Sequence, residues 1–187
     1  MNFERFDRAL IFAARAHDGQ RRKGTDIPYI THPVALAMML REMDCPDEVI
    51  VAALLHDVVE DTPVSLAEVR REFGDAVAGL VEAVSEPDKS APWEERKRHT
   101  IAALRDAPLP VKLLACADKL HNITTLARDH ARLGDAVWSR FNRGREQQAW
   151  YYRQLVDSLL HGVESPETYP IFARFARAVH ALFDEDG

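Results

Sequence analysis

The stretch Val49-Ile50-Val51-Ala52-Ala53-Leu54-Leu55-His56-Asp57-Val58-Val59-Glu60-Asp61-Thr62 decides how this chain is read. Its first seven residues are apolar throughout and read as a helical run. A histidine and an aspartate follow side by side, and Glu60 and Asp61 come three and four residues after Asp57. If the helix continues, residues at that spacing share a face. Asp57, Glu60 and Asp61 then crowd three negative charges beside an imidazole. Carboxylates so packed repel one another unless a cation sits among them or some stay protonated. A divalent metal resolves the conflict; a solvated acidic face near a helix end is the plain alternative.

Composition narrows the class. At 187 residues the chain suits one domain with a proper core, and its 47% apolar and 29% charged content is ordinary for a globular protein. No apolar run approaches the length of a membrane span, and the N-terminus lacks the basic start and apolar stretch of a secretory signal. Cys45 and Cys116 are too few for a disulfide scaffold, so the cytoplasm is the expected compartment. The net charge of −6 argues against general nucleic-acid binding. A bound metal and local Arg and Lys residues still permit an anionic small molecule.

Outward from the opening stretch the chain reads as helices. Residues 2 to about 17 form the first, with Phe3, Phe6, Leu10, Ala13, Ala14 and His17 near one face. A loop with Arg21, Arg22 and Lys23 leads to His32. Thr31 can cap the next helix, with Pro33 in its first turn. His32 then sits at a helix N-terminus, where the dipole favours the neutral, metal-binding imidazole. Pro46 and Asp47 start the helix that delivers His56. Ser65 with Glu68 makes a capping box for 66–73, Gly74 ends that helix, and 75 to about 84 forms another. The segment 85–92 is the one flexible candidate. Pro92 opens a charged helix that Pro108 and Pro110 break.

The apolar run 111–117 then leads into Asp118-Lys119-Leu120-His121-Asn122. A carboxylate placed directly after such a run needs a partner: a salt bridge to an arginine elsewhere, or a metal. Asp118 and Asn122 share a face. Residues 141–160 read as a helix ended by His161 and Gly162, and Ser165-Pro166-Glu167 caps a last one. Trp150, Tyr151 and Tyr152 fit a core, although one tyrosine beside a nucleotide base is admissible. No alternating strand stands out.

His32, the pair His56 and Asp57, and Asp118 lie on separate helices. Two imidazoles and two carboxylates suit manganese, iron or zinc, with manganese favoured by the oxygen content, and a helical bundle converges such ligands on its core. Glu60 and Asp61, one turn on, are placed to orient or deprotonate a water or to protonate a leaving group. Arg22 and its neighbours suit phosphates. The residues together point to a metal-dependent phosphohydrolase acting on a multiply phosphorylated small molecule.

These residues resemble the H…HD…D signature of the HD-domain phosphohydrolase superfamily. The finer resemblance is to the hydrolase domain of RelA/SpoT-type enzymes and the stand-alone small alarmone hydrolases. It is carried by Ala13-Ala14-Arg15-Ala16-His17-Asp18-Gly19-Gln20-Arg21-Arg22-Lys23-Gly24, Pro28-Tyr29-Ile30-Thr31-His32-Pro33, the 53–62 block and Ala117-Asp118-Lys119-Leu120-His121-Asn122. It covers at least residues 9–128; the segment 133–148 does not align.

The resemblance implies an all-α fold, a single HD-domain helical bundle of about ten helices spanning 1–187, with helices over 140–184 completing it. It implies one manganese ion held by His32, His56, Asp57 and Asp118, and Glu60 and Asp61 as the catalytic acids that position the attacking water. It places Arg22, Lys23, Lys119 and Asn122 beside the nucleotide. The implied reaction removes the 3′-pyrophosphate of guanosine tetra- or pentaphosphate, with no synthetase domain or regulatory tail following. An adenosine alarmone, the 2′-phosphate of a nicotinamide dinucleotide or another nucleotide, ordinary nucleoside mono- and triphosphates included, is the alternative substrate. A degenerate, binding-only domain is the non-enzymatic rival, and the six intact ligand and acid positions argue against it.

Overall fold

The computed structural model describes residues 2–86, 90–164 and 168–184. The proposed cap at Ser165, Pro166 and Glu167 lies outside the described residues, as does the middle of the 85–92 segment. Among the described residues the fold is all-α, with ten α-helices, one 3-10 helix and no strand beyond an isolated bridge between Arg21 and Pro28. Contacts gather into two compact units, residues 1–87 and 88–187.

The first unit contains α1 (Phe3–Ala16), α2 (Thr31–Glu42), α3 (Asp47–Leu55), α4 (Val58–Asp61), α5 (Leu66–Phe73) and α6 (Asp75–Val84). Helix α3 is its axis: all seven residues from Val49 to Leu55 are buried, and α1, α2 and α6 pack on it. Burying each of its valine, isoleucine and leucine side chains contributes about 1.5–3 kcal/mol. Arg5 ties α1 in place, its guanidinium donating to Glu48 at 2.9 Å and to the Phe73 carbonyl at 2.8 Å. The capping box forms as read, with Ser65 and Glu68 bonded reciprocally. Gly74 stops α5 at φ +86°, a left-handed backbone that glycine adopts without strain.

Two expectations change here. Thr31 does not cap α2; its hydroxyl donates to the Pro28 carbonyl at 2.8 Å, and Ile30 occupies the cap position. The helix carrying the opening stretch does not run on. It ends at Leu55, turns through His56 and Asp57, and restarts at Val58. Asp57 sits at φ −101°, ψ −3°, the sparsely populated bridge between helical and extended backbone.

The second unit contains α7 (Trp93–Arg105), α8 (Leu109–Leu133), the 3-10 helix (Gly134–Arg140), α9 (Arg145–Leu160) and α10 (Pro170–Phe183). The break expected at Pro108 and Pro110 falls between α7 and α8: Pro108 is the cap of α8, and Pro110 lies in its first turn, where its missing N–H has no partner to lose. The helix expected from 141 begins at Arg145, because the preceding residues wind into the 3-10 turn that seats Trp138 against Phe183, ring centroids 5.8 Å apart. Helix α10 packs on both α8 and α9, and α7 packs on α9. Buried Lys112 joins the C-terminal ends of α7 and α9: its ammonium donates to the carbonyls of Arg105 at 2.9 Å, Ser158 at 3.1 Å and His161.

Candidate metal centre

In the first unit the structure brings His32, His56 and Asp57 together. His32 stands in the first turn of α2, and His56 and Asp57 form the break between α3 and α4. The two imidazoles are 1% and 4% exposed, with ring centroids 5.1 Å apart and a nitrogen of each within 4.8 Å of the other. Asp57 Oδ2 lies 2.8 Å from His56 Nε2 and 3.9 Å from His32 Nε2. It also accepts a hydrogen bond from the Tyr29 hydroxyl.

His56 Nδ1 lies 2.9 Å from the Ala53 carbonyl, which cannot donate, so Nδ1 carries the hydrogen. In the neutral, metal-binding ring the lone pair is then on Nε2, the atom turned toward Asp57. A ring fixed in this way through its second nitrogen is the usual arrangement of a metal-ligating histidine. Two desolvated nitrogen donors and a carboxylate oxygen at these separations fit a divalent cation.

Glu60 and Asp61 follow on α4. Glu60 is half-buried and accepts from the Glu86 N–H at 3.3 Å, whereas Asp61 is exposed. The backbone carbonyl of Asp61 accepts from Gln20 at 2.8 Å. The loop between α1 and α2 carries Arg22, half-buried with its guanidinium 5.6 Å from the Tyr29 ring centre, and Lys23, exposed. Gly24 turns that loop at φ +73°.

The second unit places Asp118, Lys119 and Asn122 on one stretch of α8. Lys119 Nζ donates to Asp118 Oδ2 at 2.7 Å, and Asn122 Nδ2 donates to Oδ1 at 2.6 Å. On its own helix the carboxylate thus has two partners, Lys119 and Asn122. Burial disfavours the charge on Lys119, but the Asp118 carboxylate, with Tyr151 and Tyr152 nearby, outweighs it and holds the ammonium well above its ordinary value. Tyr151 and Tyr152 are buried, the former against Trp93 and the latter against Phe175 and Phe183.

Residues 9–148 match the sequence profile of the HD domain. The chain belongs to the HD domain family. It is 42% identical over 182 residues to the mouse (Mus musculus) guanosine-3′,5′-bis(diphosphate) 3′-pyrophosphohydrolase MESH1, covering 96% of this chain and 93% of that protein. It is also 42% identical over 130 residues to the bifunctional (p)ppGpp synthase/hydrolase SpoT of Escherichia coli (strain K12), covering 66% of this chain. The matched region is only 18% of SpoT, so the chain corresponds to a small part of that longer relative. Among solved structures, a metazoan ortholog of SpoT, described as hydrolysing ppGpp and playing a role in starvation responses, superposes with a TM-score of 0.78. Sequence identity to it is 32%, over 95% of this chain and 94% of that one. Membership of the HD family implies dependence on a divalent metal. No helix among the described residues is long and apolar enough to cross a membrane.

Gln20 and Tyr29 do not stand out individually in the sequence. Their signal is faint, since each reaches a segment about thirty or forty positions away and no local periodicity marks such a contact.

Proposed function

We propose that the protein is a manganese-dependent hydrolase of guanosine tetra- and pentaphosphate, releasing pyrophosphate with GDP or GTP. The observation that carries this reading is the His32, His56 and Asp57 donor set, in a chain alike over nearly its whole length to a named 3′-pyrophosphohydrolase. Asp118 is assigned as the fourth ligand from the order of the sequence motifs. Residues 1–187 form one catalytic domain in this reading.

A divalent ion, when held there, supplies Lewis-acid chemistry toward water and phosphoryl oxygens. The protein's own groups do the rest. Arg22 and Lys23 bind the phosphates, the guanidinium through paired contacts. Lys119 and Asn122 face the nucleotide. Glu60 and Asp61 orient the attacking water and take its proton. The new bond joins that oxygen to the phosphorus next to the ribose. The bond from this phosphorus to the ribose 3′-oxygen breaks, and the oxygen leaves with a proton.

The test is product analysis with manganese supplied. Guanosine tetraphosphate, its adenosine counterpart and a reduced nicotinamide dinucleotide phosphate are offered separately, and products are resolved by ion exchange. Pyrophosphate with GDP, abolished by chelation, is the expected result. Turnover of another nucleotide alone would move the base specificity. Metal binding without any turnover would favour a binding protein.

A further inference from the structure

We propose that Tyr29 and Gln20 are positioning residues that clasp the cation-bearing loop to both ends of the catalytic segment, with His17 as the pin between them. The proposal rests on the metal-site reading above. The loop is first closed on itself: the Tyr29 N–H donates to the Gln20 carbonyl at 3.0 Å, and the Arg22 N–H to the Ile27 carbonyl at 2.9 Å. Tyr29 and Gln20 are thereby paired through their backbones, and their side chains reach the same neighbouring segment at two points. The Tyr29 hydroxyl donates to the Asp57 carboxylate, and the Gln20 amide donates to the Asp61 carbonyl at 2.8 Å.

His17 locks the two together. Because a carbonyl only accepts, the Gln20 NH₂ must face Asp61, which turns Oε1 toward His17 Nδ1 at 2.8 Å. His17 Nδ1 therefore carries the hydrogen. Its ring lies 4.6 Å from the Tyr29 ring at a 37° tilt, and Nε2 is buried with no hydrogen-bond partner, in a side chain only 3% exposed. A buried imidazole with an unused nitrogen is a costly way to fill space. Its retained interactions are the ones that orient Gln20 and brace Tyr29. Arg22 lies over the Tyr29 ring, so one tyrosine touches both a metal-ligand carboxylate and a phosphate-binding cation.

The consequence is that the two side chains act on different quantities. Tyr29 sets the direction of the Asp57 carboxylate, and hydrogen-bonding partners of metal ligands are typically worth about 10–100-fold in metal affinity. Gln20 sets the backbone of α4 that carries the catalytic acids, where a small displacement lowers turnover without touching the ligands.

The experiment follows manganese binding to the metal-stripped protein by the loss of the free-ion electron paramagnetic resonance signal, with kcat and KM measured in parallel at saturating metal. Tyr29→Phe keeps the ring and removes only the hydroxyl; its manganese Kd should rise about 10–100-fold with KM unchanged. Tyr29→Leu should add a rise in KM as Arg22 loses its ring. Gln20→Leu and His17→Phe should bind manganese as the wild type does and share a lowered kcat. Wild-type affinity in Tyr29→Phe, even with a lower melting temperature, would overturn the clasp while leaving the metal site intact. Wild-type kcat in Gln20→Leu would overturn its second arm. A wild-type protein that binds no manganese would overturn the underlying reading, and the clasp with it.

Discussion

Lys112 offers the sharpest quantitative test of how the second unit holds together. Its buried ammonium spends its three hydrogens on the carbonyls of Arg105, Ser158 and His161. These acceptors belong to the last residue of α7, the last turn of α9 and the α9 cap. Helix C-termini present unpaired carbonyls and partial negative charge, which a cation satisfies. Lys112→Met keeps the length and apolar stem but leaves three carbonyls without this donor. A hydrogen bond to a charged group contributes roughly 1.5–3 kcal/mol, so the gross loss is about 5–9 kcal/mol. Removing the ammonium also removes its desolvation penalty, several kcal/mol for a buried ion. The expected net destabilisation is about 2–5 kcal/mol, a large share of the stability of a typical domain. Urea unfolding followed by far-ultraviolet circular dichroism measures it as a lower midpoint at unchanged slope. Arg105→Ala, which keeps the carbonyl, is the control and should move stability by less than about 0.5 kcal/mol. A Lys112→Met protein within that same margin would refute the reasoning.

Other expectations centre on the site and on one cap. Asp57→Ala should lose bound manganese and activity together, as metal analysis of the purified variant and a product assay would show; an active, metal-loaded variant would defeat the ligand assignment. Glu60→Gln should keep the metal and slow turnover by roughly 100-fold or more, the scale of a positioned acid or base, and full activity would make Glu60 structural. Leu54→Ala, at a fully buried position on the axis of the first unit, should cost about 2–5 kcal/mol in chemical unfolding. Hydrogen bonds from the backbone and side chain of Ser65 hold the Glu68 carboxyl below its ordinary range. Between that lowered value and the ordinary one the unfolded chain binds more protons, so stability rises with pH. The contribution is present above the ordinary value and lost as pH falls through the lowered one. Thermal melts of wild type and Glu68→Gln should therefore converge on acidification; a constant gap would count against the cap.

Much of the fold was legible because its causes are local. The unbroken apolar run from Val49 to Leu55 marked a helix, and Ser65 with Glu68 marked a start. What was not legible depends on distant partners. The break at His56 and Asp57 places those side chains against Tyr29 and His32, contacts that helical periodicity has no means of registering. The 3-10 turn before α9 follows from seating Trp138 on Phe183, again a tertiary matter. At Asp118 the local spacing was legible: Asn122, four positions on, lies on the same face and bonds the carboxylate.

The interruption between α3 and α4 has a mechanical meaning. On one side Leu54 and Leu55 are fully buried, and on the other so is Val58. The His56–Asp57 elbow is therefore clamped by core packing at both shoulders, and its angular setting is inherited from how those shoulders are seated. A residue inserted within α3 would rotate everything beyond it by about 100° about the helix axis, driving the pair away from His32 or pulling Val58 out of the core. Substitution in the interior can be absorbed by repacking, whereas a change in residue count here has no such outlet. The length of chain between Asp47 and Val58 is as much a part of the proposed metal centre as the side chains it presents.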